Sequence, residues 1–248
     1  MLQYSMLYPK QSVSRRTVSM DGMWKFCLDP EGKGTEIGWA DGIPQADLIP
    51  VPASFQDFYT DKDTREYAGD LWYETDVFVP EEYAGKNVAI RFGCAAHRAE
   101  VYLNGVHVAS HVGGFLPFMA DITNVARYNA VNKVVVKINN ELSETNIPCG
   151  KTKVLSNGKK MNSPYFDFFN YSGLQRPVKL VAYPKEYVFD LTVDHRINGR
   201  DAEVSYSVVT TGEHPVEVTV YDEDGREVAV SQGKEGILHI ENAHLWQV

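Results

Sequence analysis

The sequence is short of several things that would place it quickly. It has 248 residues and three cysteines, Cys27, Cys94 and Cys149, widely spaced and odd in number. That excludes a disulfide framework and a cysteine zinc cluster, and it fits reduced thiols in a cytoplasm, the expected location. Basic residues are outnumbered, 24 Lys and Arg against 33 Asp and Glu, for a net charge of -9. A nucleic-acid binder needs a basic stripe to displace counterions from phosphates, and there is none. The densest basic stretch, Lys151, Lys153, Lys159 and Lys160, is interrupted by Asn157-Gly158 and reads as a solvated loop. No apolar run approaches the roughly 20 residues of a membrane span. The first residues, with positive charges after the apolar ones, do not read as a secretory leader.

Catalytic signatures are also missing. There is no G-x-S-x-G elbow and no glycine-rich phosphate loop. His107 and His111 are four apart, but Val106-His107-Val108 reads as a strand, where that spacing separates the rings by about 13 Å. No metal or cofactor site is therefore expected. Asn140-Glu141 has the form of an acid/base pair of retaining glycosidases, yet it directly follows a strand run and reads as a strand-end turn.

What the sequence does have is short strands broken by turns. Val77–Val79, Asn87–Phe92, Ala99–Leu103 and Lys133–Ile138 are rich in β-branched or aromatic residues. Asn104-Gly105 between two apolar runs signals a tight hairpin, because both central positions of a type I′ turn need positive φ. Helical periodicity is confined to single turns, at Glu81–Tyr83 and around Ile122 to Tyr128. Strands without intervening helices predict an all-β antiparallel sandwich. Near Pro184 the pattern restarts, with strand candidates at Tyr187–Val193, Ala202–Val209, Val216–Tyr221, Glu227–Val230 and Gly236–Ile240. Asn198-Gly199, Thr211-Gly212 and Asp224-Gly225 lie between them, as in an immunoglobulin-like sandwich. Residues 185–248 number 64, against about 100 for that fold, so this second domain is expected to be incomplete.

Two segments could recognise a sugar. Between Tyr165 and Ser172 lie five aromatics, Asp167 and Asn170. Aromatic faces can lie on a pyranose while Asp or Asn bonds its hydroxyls, although the same aromatics could be core and Asp167 a turn cap. Gly113–Ile122 reads as a shaped loop entering a strand, its aromatics packing rather than touching ligand.

At these segments the sequence resembles glycoside hydrolase family 2, and within it the β-glucuronidases of gut bacteria. The resemblance rests on Asp21–Phe26, Pro50–Phe55, Gly69–Glu74, Val101–Gly105, Gly113–Phe118 and Asp167–Val178, in order along nearly the whole chain. It implies a galactose-binding-domain-like jelly-roll sugar-binding domain at 1–184, then a partial immunoglobulin-like sandwich at 185–248. The catalytic TIM barrel, with both catalytic glutamates, would be absent. It further implies that Asp167 hydrogen-bonds sugar hydroxyls, with Asn170, Tyr171 and Arg176 supporting its loop. The implied partners are a β-glucuronide, bound through the parent's barrel, and the missing catalytic domain itself, in a homo-oligomeric parent. The fragment alone is expected to be inactive and to bind free sugar no tighter than roughly millimolar, since a one-sided polar contact is offset by lost hydration. A stand-alone carbohydrate-binding module, or the front end of a family 2 β-galactosidase or β-mannosidase, are the alternatives.

Overall fold

Residues 8–245 are described by a computed structural model. They divide into two compact units, residues 9–183 and a second containing residues 184–245. The strands of the first are β1 (Arg16–Ser19), β2 (Gly22–Asp29), β3 (Asp47–Val51), β4 (Asp70–Val79), β5 (Asn87–Phe92), β6 (Arg98–Leu103), β7 (Val106–Val112), β8 (Phe118–Asp121), β9 (Ala130–Asn139), β10 (Gly150–Val154), β11 (Lys160–Pro164) and β12 (Val178–Tyr183). The longest helices among the described residues are the four-residue α1 (Phe55–Phe58) and α2 (Lys62–Arg65). Among the described residues no helix is long and apolar enough to cross a membrane.

The first unit is a jelly-roll sandwich. A six-stranded sheet in the order β3-β2-β4-β9-β6-β7 faces a four-stranded sheet in the order β1-β12-β5-β8. Alternate residues of each strand enter the space between them. Trp24 and Phe26 of β2, Val134, Val136 and Ile138 of β9, Val88, Ile90 and Phe92 of β5, and Val178, Leu180 and Ala182 of β12 form one buried cluster. Phe26 lies at its centre, 5.5 Å from Phe55 and 5.0 Å edge-on from Tyr73. Each such ring buries roughly 150–250 Å².

β4 departs from simple alternation because both of its faces are covered. Leu71 and Tyr73 enter the main core, while Trp72 packs on the opposite face with Val135, Ile43 and Trp39. Glu74 shares that second face and is buried. It accepts from Lys25 Nζ at 2.8 Å and from the Ile43 N–H at 2.8 Å, with Lys133 Nζ at 3.5 Å. Burial opposes its ionisation, but these donors and charges outweigh burial and hold its carboxyl below the usual range.

The Asn104-Gly105 turn forms with φ of 50° and 82°, and β6 and β7 pair across it. The Glu81–Tyr83 turn forms as a 3-10 helix. Around Ile122 to Tyr128 the chain makes a single turn, the Ile122 carbonyl accepting from the Val125 and Ala126 N–H groups, before it enters β9. The lysine-rich stretch differs from the expected loop. It is a two-stranded ribbon of β10 and β11, its exposed lysines tied to Glu144, Asp63 and Glu141.

The second unit is an antiparallel sandwich of β13 (Val188–Asn198), β14 (Asp201–Thr210), β15 (Glu217–Tyr221), β16 (Glu227–Gln232) and β17 (Glu235–Ile240). One sheet has the order β13-β14-β17 and the other pairs β15 with β16. Tyr206, Val208 and Leu238 are its buried centre, with Val204, Val216, Val218, Val220 and Ala229 around them.

Candidate functional site

The segment between β11 and β12 leaves the sandwich as a loop, and its composition decides how it sits. Its aromatics are not core: Phe168 is 58% exposed and Tyr165 54%. Phe166 and Phe168 lean on each other at 4.3 Å, and Phe169 and Tyr171 at 5.2 Å. The Arg65 guanidinium lies 5.8 Å over the Phe169 ring, a cation–π contact. Asp167 stands among these rings, exposed. Its carboxylate makes no hydrogen bond and no ion pair among the described residues, so it does not cap the turn.

The base of the loop is the opposite case, a buried polar network. Gln56, in α1 and 2% exposed, donates from Nε2 to Ser172 Oγ at 2.8 Å and to the Asn170 carbonyl at 3.2 Å. Its Oε1 accepts from the Ser172 N–H at 3.0 Å and the Ser54 hydroxyl at 2.7 Å. Asn140, directly after β9, donates from Nδ2 to Ser172 Oγ at 3.1 Å and to the Tyr67 carbonyl at 2.9 Å, and accepts at Oδ1 from Gly69 N–H. Its carbonyl takes Asn162 Nδ2 at 2.9 Å. Buried polar groups persist only when paired, so each of these bonds fixes the loop's path.

Next to this base, Gly173 exchanges backbone hydrogen bonds with Ala96, at 3.1 and 3.3 Å. It holds a φ of 106°, and a Cβ there would run into the Tyr73 hydroxyl. Both facts demand glycine. Beside it His97, 2% exposed, meets Asn170 Oδ1 through Nε2 at 2.8 Å. Burial, partly opposed by that bond and reinforced by the nearby Arg98 charge, pushes the imidazole below its usual pKa.

Of the residues singled out from sequence, Asn170 sits in the network. Arg176 is exposed and donates from its guanidinium to the Phe115 carbonyl at 2.9 Å, tying the loop to the 113–117 segment. Tyr171 is exposed and touches Phe169, its N–H bonded to the Phe169 carbonyl at 2.9 Å. Asn140-Glu141 is the strand-end turn expected, with Asn140 bracing the loop and Glu141 paired to Lys160. His107 binds Glu100 and Ser110, whereas His111 stacks on Phe118 at 4.3 Å. Phe118 also stacks on Phe92 at 4.9 Å, so this part of the 113–122 segment packs. Gln56, Ser172 and His97 had not been singled out. Gln56 directly follows a recognised motif, but nothing local marks His97.

A cleft of about 410 Å³ opens under the loop, lined among others by Gln56, Arg65, Tyr67, Asn162, Phe168 and Phe169. Exposed rings, amide groups and one guanidinium around a cleft, with a free carboxylate on the loop beside it, suit a ligand with both hydroxyls and flat apolar faces.

The sequence and the fold recur in known proteins. The family model for "Glycosyl hydrolases family 2, sugar binding domain" matches residues 17–184. A β-glucuronidase of Paenibacillus borealis is 40% identical across 98% of this chain and 42% of its own length. The human β-glucuronidase is 35% identical across 99% of this chain and 41% of its own. The crystal structure of Ruminococcus gnavus β-glucuronidase is 56% identical, with a TM-score of 0.94 over 99% of this chain and 42% of that one. A structure of that enzyme in complex with D-glucuronic acid gives a TM-score of 0.95, over 99% of this chain and 43% of that one. The chain thus spans about two fifths of the length of these relatives. It belongs to glycosyl hydrolase family 2, through the sugar-binding domain at residues 17–184.

Proposed function

We propose that this chain is the non-catalytic front part of a retaining β-glucuronidase, and that Asp167 reaches from its loop to hydrogen-bond sugar hydroxyls at the rim of the active site. The observation that carries the reading is the contrast within one loop: an exposed carboxylate on top, without a partner among the described residues, and a buried base beneath held by side-chain hydrogen bonds. A contact residue needs such a rigid support to be held in place. The 56% identity to an enzyme solved with D-glucuronic acid supports glucuronide as the sugar. Retaining hydrolysis uses two carboxyl groups about 5–5.5 Å apart. The reading assigns both to the larger share of the relatives' length, and gives Asp167 a binding role only. A hydrogen bond to a charged acceptor is worth roughly 1.5–3 kcal/mol, or about 10- to 100-fold in kcat/KM.

The test uses this chain, the same reading frame extended to the relatives' length, and Asp167→Ala in the extended protein, on 4-nitrophenyl β-D-glucuronide. The expected result is no turnover by the chain alone and turnover by the extended protein, reduced about 10- to 100-fold in Asp167→Ala. Steady turnover by the chain alone, or an unchanged kcat/KM in the variant, overturns the reading.

A further inference from the structure

The buried imidazole of His97 has no part in the function proposed above, yet three segments converge on it. The backbone N–H of His97 donates to the Asn139 carbonyl at the end of β9, at 3.1 Å, and its backbone carbonyl accepts from Gly113 N–H, also at 3.1 Å. Its side chain meets Asn170 at the base of the Asp167 loop. The neighbours fix the direction of that bond. Asn170 donates from Nδ2 to the Asn140 carbonyl at 3.4 Å, which turns Oδ1, an acceptor, toward His97. His97 must therefore donate from Nε2. In a neutral ring Nδ1 then carries a lone pair, and Nδ1 is buried with no partner among the described residues. Gly114 closes over it, since a Cβ there would lie 2.7 Å from Nδ1 and 3.1 Å from Ala96 Cβ. A second proton on this ring would be an N–H with nothing to accept it, a costly burial.

We propose that His97, in its neutral Nε2–H form, is the positioning residue of the Asp167 loop, and that a second proton on its ring releases the loop. Its consequence for sugar binding rests on the reading of Asp167 given above; its consequence for loop order does not. The charged groups around the ring offer a second proton no acceptor. Arg98, the next residue and the first of β6, is bonded to Asn139 Oδ1 and the Glu141 carbonyl. His111 of β7 is bonded to the Gly113 carbonyl, and Arg176, from the loop, to the Phe115 carbonyl. Asp70 of β4 is held by Lys137 and Asn139. Because the folded ring titrates below its unfolded value of about 6.5, the loop is unaffected above that pH. It loosens as pH falls from there through the lower folded value.

The test is amide hydrogen exchange of Tyr171, Ser172 and Gly173, whose N–H groups are bonded to the Phe169 carbonyl, Gln56 Oε1 and the Ala96 carbonyl. Exchange is normalised to intrinsic rates and followed in the wild-type chain, His97→Gln and His97→Leu, at about pH 7.5 and about pH 5. At the higher pH, His97→Leu should exchange these amides about tenfold faster or more, with β4 and β9 unchanged. His97→Gln, which keeps an N–H toward Asn170, should stay within about threefold of wild type. On acidification the wild type should open about tenfold or more and His97→Gln should not. Equal protection in His97→Leu and wild type, or an acid opening that His97→Gln retains, overturns the proposal. If His97→Leu loses β4 and β9 as well, the acid response of His97→Gln alone decides. Asp167→Ala should leave all three amides protected, so failure here and failure of the Asp167 reading are seen separately.

Discussion

Replacing Gln56 by Leu tests whether the loop is held from below. Leucine is close to glutamine in size, so the change removes hydrogen bonds without opening a cavity. Four bonds disappear: those from the Ser172 N–H and the Ser54 hydroxyl, and those to Ser172 Oγ and the Asn170 carbonyl. They are not equal in cost. The Ser172 hydroxyl keeps Asn140 Nδ2, and the Ser54 hydroxyl can turn. The Ser172 N–H cannot turn, and Ser172 is fully buried, so it is left unsatisfied at about 1–3 kcal/mol. Adding a smaller loss at the part-buried Asn170 carbonyl gives about 2–4 kcal/mol in all. Urea unfolding followed by the fluorescence of Trp24 and Trp72, both buried in this unit, measures it directly. The melting temperature should fall on the order of 10 °C, at roughly 2–4 °C per kcal/mol for a unit of this size. Combined with Ser172→Ala, the double mutant should show a coupling of about 0.5 kcal/mol or more. A loss below about 0.5 kcal/mol, with no coupling, would refute the claim that this network carries the loop.

Asp167→Ala, by contrast, should change stability by no more than about 0.5 kcal/mol in the same assay, because its exposed carboxylate makes no bond to the described residues. Gly173→Ala should cost about 2 kcal/mol or more by thermal melting, from the positive φ and the meeting with Tyr73. Tyr73→Phe in the same chain should recover only the steric part. Glu74→Gln should destabilise by about 1–3 kcal/mol near neutral pH. Its folded pKa is depressed, so the carboxylate's contribution is present above about pH 4.3 and lost as pH falls through the lower folded value. The gap between Glu74→Gln and wild type should therefore narrow on acidification, as urea midpoints would show. Among the thiols, exposed Cys149 should react first with a thiol reagent. Cys94 is buried, and burial followed by the charges of Asp29 and Glu74 pushes Cys27 up to about 12, so both should lag in a timed titration.

Local chemistry in the sequence determined much of the fold. The β-branched runs became strands because that preference acts within a few residues, and Asn104-Gly105 turned as its tolerance of positive φ requires. The order of motifs from Asp21 to Val178 likewise carried the family, and Asp167 was legible as a residue worth testing. Tertiary structure decided what each residue faces. Composition left the rings between Tyr165 and Tyr171 equally able to be core or platform, and only the assembled sandwich left Phe168 and Tyr165 outside. The apolar run Leu71-Trp72-Tyr73 in β4 is accommodated because Trp72 is covered on one face and Tyr73 on the other. The lysine-rich stretch, read as a loop, became a ribbon once β10 found β11. Gln56 and Ser172 stand 116 positions apart, and His97 and Asn170 stand 73 apart. Burial and hydrogen bonding between such residues depend on which surfaces the fold brings together, a property that no short window of sequence contains.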